Sequence, residues 1–538
     1  MAGGADDAQP IRWTRGRAID RRRFMTGVSA AALATAGGFA RAADEATPAV
    51  QPSEPPPAPF DFSQVVALAK RRADKAHEAR ELQLKPPFAG LAYDAYRSIR
   101  YRRDIALFQQ RDLPFSLDLL PPGNVYKRPV AILIVRDGQP TPIAFSSDYF
   151  QFAPDFGFPD GAAPPNAGEG LAFSGFRLRF PLNSPDVMDE VAVFQGASYF
   201  RAIARSLIYG LSARGLAIRT ADPKGEEFPQ FTSFWIYEPA PAAPNIRVQA
   251  LLESPSVVGA FDFDIRPGDS TVMEIHCRLF PRQEIAQIGI APLTSMYYFG
   301  PARRAGRDDF RDAVHDSAAL QMIHGSGRRL LRSLTNPARV QVSAFEDENP
   351  KGFGLTQRRR DFGYYQDAEA RYDKRPSAWI EPLGEWGRGH IMLVEIPVQD
   401  EFNDNIVAFW RPRSPLAPSE DGHAFDYRLH WCAEPPDGAP IARVLACRSG
   451  RAVNEPDRRV IVVDFKLGEI PIAELKPVLW ASGGGVSQPT LKALPGGESA
   501  RAAFDFEPGG AELIEFQLTL AGPAGDASET WMYQWTAP

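Results

Sequence analysis

Between residues 351 and 410, arginines, carboxylates and aromatic rings crowd together more densely than elsewhere in the sequence. Arg358, Arg359, Arg360 and Arg375 stand among Asp367, Asp373, Asp400, Glu401 and Asp404, and Tyr372, Trp379, Trp386 and Trp410 run through them. That mixture suits a polyhydroxylated ligand, because rings cover the apolar faces of sugars while guanidinium and carboxylate groups bond the hydroxyls. Two carboxylates held close could also do acid–base work on a glycosidic bond. The same composition fits antiparallel strands with a solvated, charged face. The residue types alone leave both open.

The elements that would position this stretch read mainly as strands. Short β-rich or alternating runs recur at 129–135, 173–180 and 246–252, separated by turns that draw on 50 prolines and 44 glycines. In the second run Phe176, Leu178 and Phe180 fall on one face. Helical spacing is expected over 62–84 and again over 198–211, and 308–331 reads as loop plus short helix. A turn-rich link at 412–418 divides the chain. Seven evenly spaced strands follow it, at 425–431, 442–447, 459–466, 476–481, 501–506, 511–520 and 530–535, the count of an immunoglobulin-like sandwich. The fold class is all-β: a large sandwich over 59–411, then a smaller immunoglobulin-like one over 417–538.

The chain start reads as an address. A basic lead ends in Arg21-Arg22-Arg23-Phe24-Met25, then comes a small-residue apolar run and Ala40-Arg41-Ala42, an A-x-A cleavage signal. The paired arginines fit a twin-arginine export signal over 1–42, which implies a periplasmic mature protein. The apolar run spans only about 15 residues, too few for a spanning helix. Residues 43–58 form a Pro/Ala-rich linker. The formal charge is −6, and loss of the leader removes seven basic and three acidic residues, leaving the mature chain at about −10. An acidic chain without a basic block argues against nucleic acid or anionic lipid as partner. Cys277, Cys432 and Cys447 make no disulfide framework, although the last two could bridge or stay free. The seven histidines are scattered and suggest no metal site, and no cofactor is expected.

Several long stretches carry a family resemblance: FSLDLLPPGNVYKRPV at 115–130, FQGASYFRA at 194–202, YGLSARGLAI at 209–218 and GEEFPQFTSFW at 225–235. Further on come NPKGFGLTQRRRDF, RYDKRPSAWIEPLGEWGRG and VEIPVQDEFNDNIVAFW. The sequence resembles the periplasmic glucan biosynthesis proteins G and D, and its leader is most similar to the D type. The resemblance implies a galactose-mutarotase-like N-terminal sandwich with a long cleft and an immunoglobulin-like C-terminal sandwich. It also implies a part in making osmoregulated periplasmic glucan with a β-1,2-linked backbone. D-type relatives act as inverting endo-β-1,2-glucanases or as cyclising transglycosylases, and some relatives lack detectable turnover, which leaves a non-catalytic partner of the membrane glucan synthase as an alternative. A homodimer is implied by resemblance alone.

Carried onto this sequence, the essential aspartates fall in VHDS and NDNI, as Asp316 and Asp404. By the resemblance Asp404 is the general acid and Asp316 the general base. Asp316 would also suit a helix N-cap and Asp404 an Asx turn. Glu401, three residues before Asp404, is expected to tune its proton affinity if the two approach. Tyr372 and Arg375 resemble cleft-lining positions, and Trp379, Trp386 and Tyr298 are offered as sugar platforms. The segment 448–458 corresponds to a loop that in relatives can reach over a cleft, and here it is polar, without an aromatic ring.

Overall fold

The computed structural model describes residues 59–109, 113–164, 166–304 and 306–537, so the expected leader and linker lie outside the described residues. The chain is all-β. A ten-stranded sheet runs in the order Ser116–Leu120, Gly175–Ser184, Val187–Gln195, Tyr199–Ala202, Ser212–Arg214, Ile288–Ser295, Ile406–Pro412, Arg388–Glu395 and Gln341–Glu348, with Leu216–Ile218 beside Ile288–Ser295. Facing it, the middle of a fifteen-stranded sheet contributes Gln230–Tyr237, Ile246–Glu253, Val257–Arg266 and Thr271–Pro281. Alternation explains the layering. Along Thr271–Pro281 every second side chain is buried, and the intervening Glu274 and Arg278 pair with Arg428 and Asp426 on the outer face.

Phenylalanines fill the space between the sheets. Phe176, Phe194, Phe200, Phe234 and Phe263 form one contiguous core, with Phe194 5.2 Å from Phe200 and 5.3 Å from Phe263 between ring centroids. Phe176 and Leu178 point inward as their spacing implies, and Phe180 packs against Phe115 at 4.8 Å. The helix Phe62–Ala73 is capped by Asp61, whose carboxylate accepts from Ser63 N–H at 2.8 Å. It lays Val65 and Ala69 on the back of the large sheet against Val258 and Ala260.

Three local expectations are corrected. The helix stops at Ala73 rather than continuing to residue 84, because the charged run beyond it has no apolar stripe to bury. Residues 198–211 are not helical. Tyr199–Ala202 is a strand whose Phe200 and Ala202 enter the core, so period two wins over period 3.6. The 308–331 span holds the strands Val314–His315, Ala319–Ile323 and Arg329–Ser333.

The smaller sandwich begins later than expected. His423–Cys432 was expected to open it but lies between Thr271–Pro281 and Ser377–Leu383 in the large sheet, paired along its whole length. The second core is built on Ile461, Val463, Phe504, Phe516 and Trp531, with Ala442 among its members and Ala302, Ala319 and Leu331 contributed from earlier in the chain. The other six expected strands are present, as Arg443–Ala452, Glu455–Lys466, Lys476–Ala481, Ser499–Glu507, Leu513–Gly522 and Thr530–Thr536. Thr530–Thr536 pairs in parallel with Arg329–Ser333, which joins the two cores edge to edge. All three cysteines are free, so Cys432 and Cys447 are not bridged.

Candidate functional site

The two aspartates are brought together by one short segment, residues 295–297. The backbone N–H of Asp316 donates to Met296 O at 2.8 Å, and the hydroxyls of Ser295 and Ser317 meet at 2.8 Å. On the other side Asn405 N–H donates to Ser295 O at 3.0 Å. The buried Asn405 amide accepts from Tyr297 N–H at 2.7 Å and donates to Tyr297 O and Ile396 O, each at 3.0 Å. Asp404 is therefore the last residue of a loop whose neck, Ile396 to Asn405, is closed by backbone and side-chain bonds. Asn336 grips the same loop by accepting from Val398 N–H at 3.0 Å and donating to its carbonyl at 2.9 Å.

The aspartates differ in exposure. The Asp316 side chain is only 9% exposed, with Arg375 Nη1 3.3 Å from its Oδ1. Burial pushes its pKa up to about 6; Arg375 opposes this, and the charges of Asp404 and Glu401 add to it. The Asp404 side chain is 31% exposed, and Arg201 Nη2 lies 3.9 Å from its Oδ2. One carboxyl is thus held inside the protein and its neighbour is open to a ligand.

Tyr372 and Arg375 do stand at the site. The Arg375 guanidinium lies over the Tyr372 ring at 5.1 Å, and its Nε donates to Ala370 O at 3.0 Å. Gln357 Nε2 donates to both His315 O and Tyr372 O, at 3.0 and 3.2 Å, which locks Tyr372 beside Asp316. Burial, with Glu401 and Asp316 nearby, raises the Tyr372 pKa well above the usual phenol range, so the hydroxyl stays protonated. His315 is buried and its pKa falls to about 4, so it brings no charge to its neighbour.

Glu401 sits differently from the expectation. Its Oε2 is 2.8 Å from Arg311 Nη2, and its charge bears on Asp316 and Tyr372. Arg311 also contacts Asp309 at 2.9 Å and Asp367 at 2.7 Å. One guanidinium therefore ties together three segments that frame the aspartates.

The platform residues are corrected in part. Trp379 is buried against Gly352 and Gly354, where any added Cβ would strike its ring or backbone. Trp386 is in the main core with Trp410 and Tyr427, its indole N–H donating to Asp426 O at 3.3 Å. Neither presents a face to a ligand, because paired strands cover both. Tyr298 is half-buried and its ring is covered by Arg307 at 4.4 Å. The exposed rings nearby are Phe402, 87% exposed in the Asp404 loop, and Phe310, next to Arg311. The neighbouring arginines also have structural work: Arg358 is buried on Glu529, and Arg360 bonds the carbonyls of Arg375 and Ala433.

Sequence reasoning passed over Arg201, Arg311, Gln357 and Asn405. Arg201 lay inside the FQGASYFRA stretch, and alternation with Phe200 and Ala202 would have turned it away from the core. The hairpin formed by Arg443–Ala452 and Glu455–Lys466 contains the 448–458 segment, and Ser449 Oγ donates to Ala302 O at 2.6 Å.

Fold and site together define an all-β protein of stacked sheets in which Asp316 and the neighbour of Asp404, Asn405, are both anchored on the segment 295–297. The family described as periplasmic glucan biosynthesis protein, MdoG, matches residues 60–535. Glucans biosynthesis protein G of Vibrio cholerae is 43% identical over 480 residues, covering 89% of this chain and 87% of that protein. The proteins of the same name from Shewanella sp. (strain W3-18-1) and Shewanella baltica are 43% and 42% identical over 484 residues, with the same shares covered. The chain belongs to this MdoG family. These relatives carry the name G, and the D-type likeness rests on the leader alone.

Proposed function

We propose that this chain is a D-type periplasmic enzyme of glucan biosynthesis, an inverting endo-β-1,2-glucanase acting on the backbone of osmoregulated periplasmic glucan. The observation that carries the reading is the anchoring of Asp316 and Asp404 on the same three residues, one buried and one open. Inversion needs an acid that touches the glycosidic oxygen and a base that activates water from the opposite face. Asp404 is the one exposed enough to touch a bound sugar, which favours it as the acid. Asp316, deprotonated above about pH 6, is the base. Its burial means that it draws the proton through a relay of water or a sugar hydroxyl, beside the protonated Tyr372 phenol. Arg375 holds the carboxylate in place, and Arg201 is within reach of hydroxyls bound at Asp404.

The test is incubation of mature protein, residues 43–538, with linear β-1,2-glucan, following product mass and anomeric configuration by NMR beside Asp404→Asn. Shorter linear products of inverted configuration that vanish in the variant support the proposal. Products lighter than the corresponding glucan by one water would replace hydrolysis with cyclisation. Glucan that binds and stays intact would leave a non-catalytic partner of the membrane synthase.

A further inference from the structure

Behind Asp316 the chain is held from the second core. Gln357 donates to His315 O and Tyr372 O, and the next side chain, Arg358, goes to the second core instead. Its Nη2 lies 2.5 Å from Glu529 Oε2, with the two side chains only 7% and 2% exposed. Glu529 immediately precedes the strand Thr530–Thr536 and also accepts from Val444 N–H at 2.7 Å. Arg358 Nε donates to Val444 O at 2.9 Å, and its Nη1 donates to Gln321 Oε1 at 3.1 Å. Two residues on, Arg360 Nη1 donates to Arg375 O at 2.7 Å. Residues 357–360 thus carry supports of both Tyr372 and Arg375, and Arg358 ties that segment to the second core.

The Asp404 side has a brace of the same kind. Glu395 is fully buried and precedes Ile396, where the loop neck begins. It accepts from Thr335 N–H at 2.6 Å, next to the Asn336 that grips the loop, and from Arg332 Nη2 at 3.1 Å. The same Nη2 reaches Gln534 Oε1, on Thr530–Thr536, at 3.4 Å. One strand of the second core, with the residue before it, therefore backs both aspartates without entering the site.

We propose that Glu529 is a positioning residue for the aspartate centre, acting through Arg358 to hold Tyr372 and Arg375 beside Asp316. A buried ion pair adds little net stability, because lost hydration offsets the attraction. Burial pulls the Arg358 pKa down, and Glu529 opposes it. What the pair supplies is direction: its bonds place Arg358, and Gln357 and Arg360 follow within two residues. A small displacement of Arg375 changes its 3.3 Å approach to Asp316 and with it the proton affinity of the carboxyl. The kinetic arm of the test rests on the reading of Asp316 as the base. The proton affinity of Asp316 does not, which keeps the two separable.

The test uses Glu529→Gln, which keeps an acceptor for Val444 N–H and removes the charge facing Arg358. The double variant Arg358→Gln/Glu529→Gln removes both charges of the pair and serves where the single variant fails to fold. Asp316→Asn is added to each and to the parent, and the rise it causes in the unfolding midpoint at pH 7 is compared. Residues without contact or a shared partner usually give additive effects. The expected rise is larger by about 1 °C or more in the Glu529 variants, because Arg375 no longer offsets the Asp316 charge there. On linear β-1,2-glucan, well below the midpoint, kcat should fall about tenfold with KM within about twofold, and the acid limb should move upward. An equal rise in both backgrounds, or a kcat unchanged from an active parent, overturns the proposal. A larger rise in variants of a parent that does not cleave glucan upholds the brace and removes the enzyme.

Discussion

Arg375 Nη1 lies 3.3 Å from Asp316 Oδ1, yet the carboxyl still titrates near 6. Removal from water outweighs the ion pair, with Asp404 and Glu401 adding like charge. In the proposed role of base, Asp316 must be ionised. The acid limb of kcat/KM on β-1,2-glucan should therefore have its midpoint near pH 6, and activity should fall below it. A limb near the ordinary carboxylate value would remove Asp316 from the base role.

The same shift has a stability consequence. The folded-state pKa lies above the unfolded one, so the folded protein binds the extra proton between about pH 4 and 6 and loses stability as pH rises through that window. At pH 7 the ionised carboxylate costs the fold up to about 3 kcal/mol, from roughly two pKa units. Asp316→Asn should abolish turnover and raise the unfolding midpoint at pH 7, with the gain shrinking toward pH 4. Melting curves at both pH values check the sign.

Arg311 screens Glu401 from Asp316. Arg311→Gln leaves Glu401 without its counter-ion, so the acid limb should move upward by about half a unit or more. It should also destabilise the protein by about 3 kcal/mol, because three carboxylates lose a partner. Adding Glu401→Gln should return the limb to the parent position or below while the stability loss remains. A limb that moves in neither variant would make Arg311 purely structural.

How the site is assembled explains what was legible beforehand. Alternation of Phe176, Leu178 and Phe180 reveals an inward face directly, because a strand's period is local. Asp316 and Asp404 became visible only through the motifs around them, since the segment that joins them, 295–297, is distant in sequence from both. Trp379 and Trp386 misled because ring type says nothing about exposure. Their covering neighbours are Gly352 and Gly354 in one case and Trp410 and Tyr427 in the other. His423–Cys432 misled on the boundary because an edge strand of one sandwich and a central strand of another share one pattern until pairing is known.

Asn405 makes the loop neck. Asn405→Ala deletes an acceptor for Tyr297 N–H and a donor to two carbonyls, from a fully buried side chain, and should cost about 3 kcal/mol. With the neck loosened, Asp404 no longer holds its position, and a displacement near 1 Å is enough to lower kcat about a hundredfold. KM should change far less. Equal kcat with lowered stability would show that Asp404 is placed by other contacts.

The rings separate binding from packing. Trp386→Ala empties a core position against Trp410, Phe425 and Tyr427 and should cost about 3–5 kcal/mol. Conservative Trp386→Phe should recover most of that stability and leave KM unchanged, because the ring is buried in the core. Phe402 is the opposite case. Its side chain is almost wholly exposed beside Asp404, so Phe402→Ala should leave the unfolding midpoint within a degree or so of the parent, as surface changes usually do. If the ring stacks on a glycosyl unit, KM for linear β-1,2-glucan should rise about fivefold to tenfold, by the ordinary worth of an aromatic contact. An unchanged KM would remove Phe402 from the proposed binding surface.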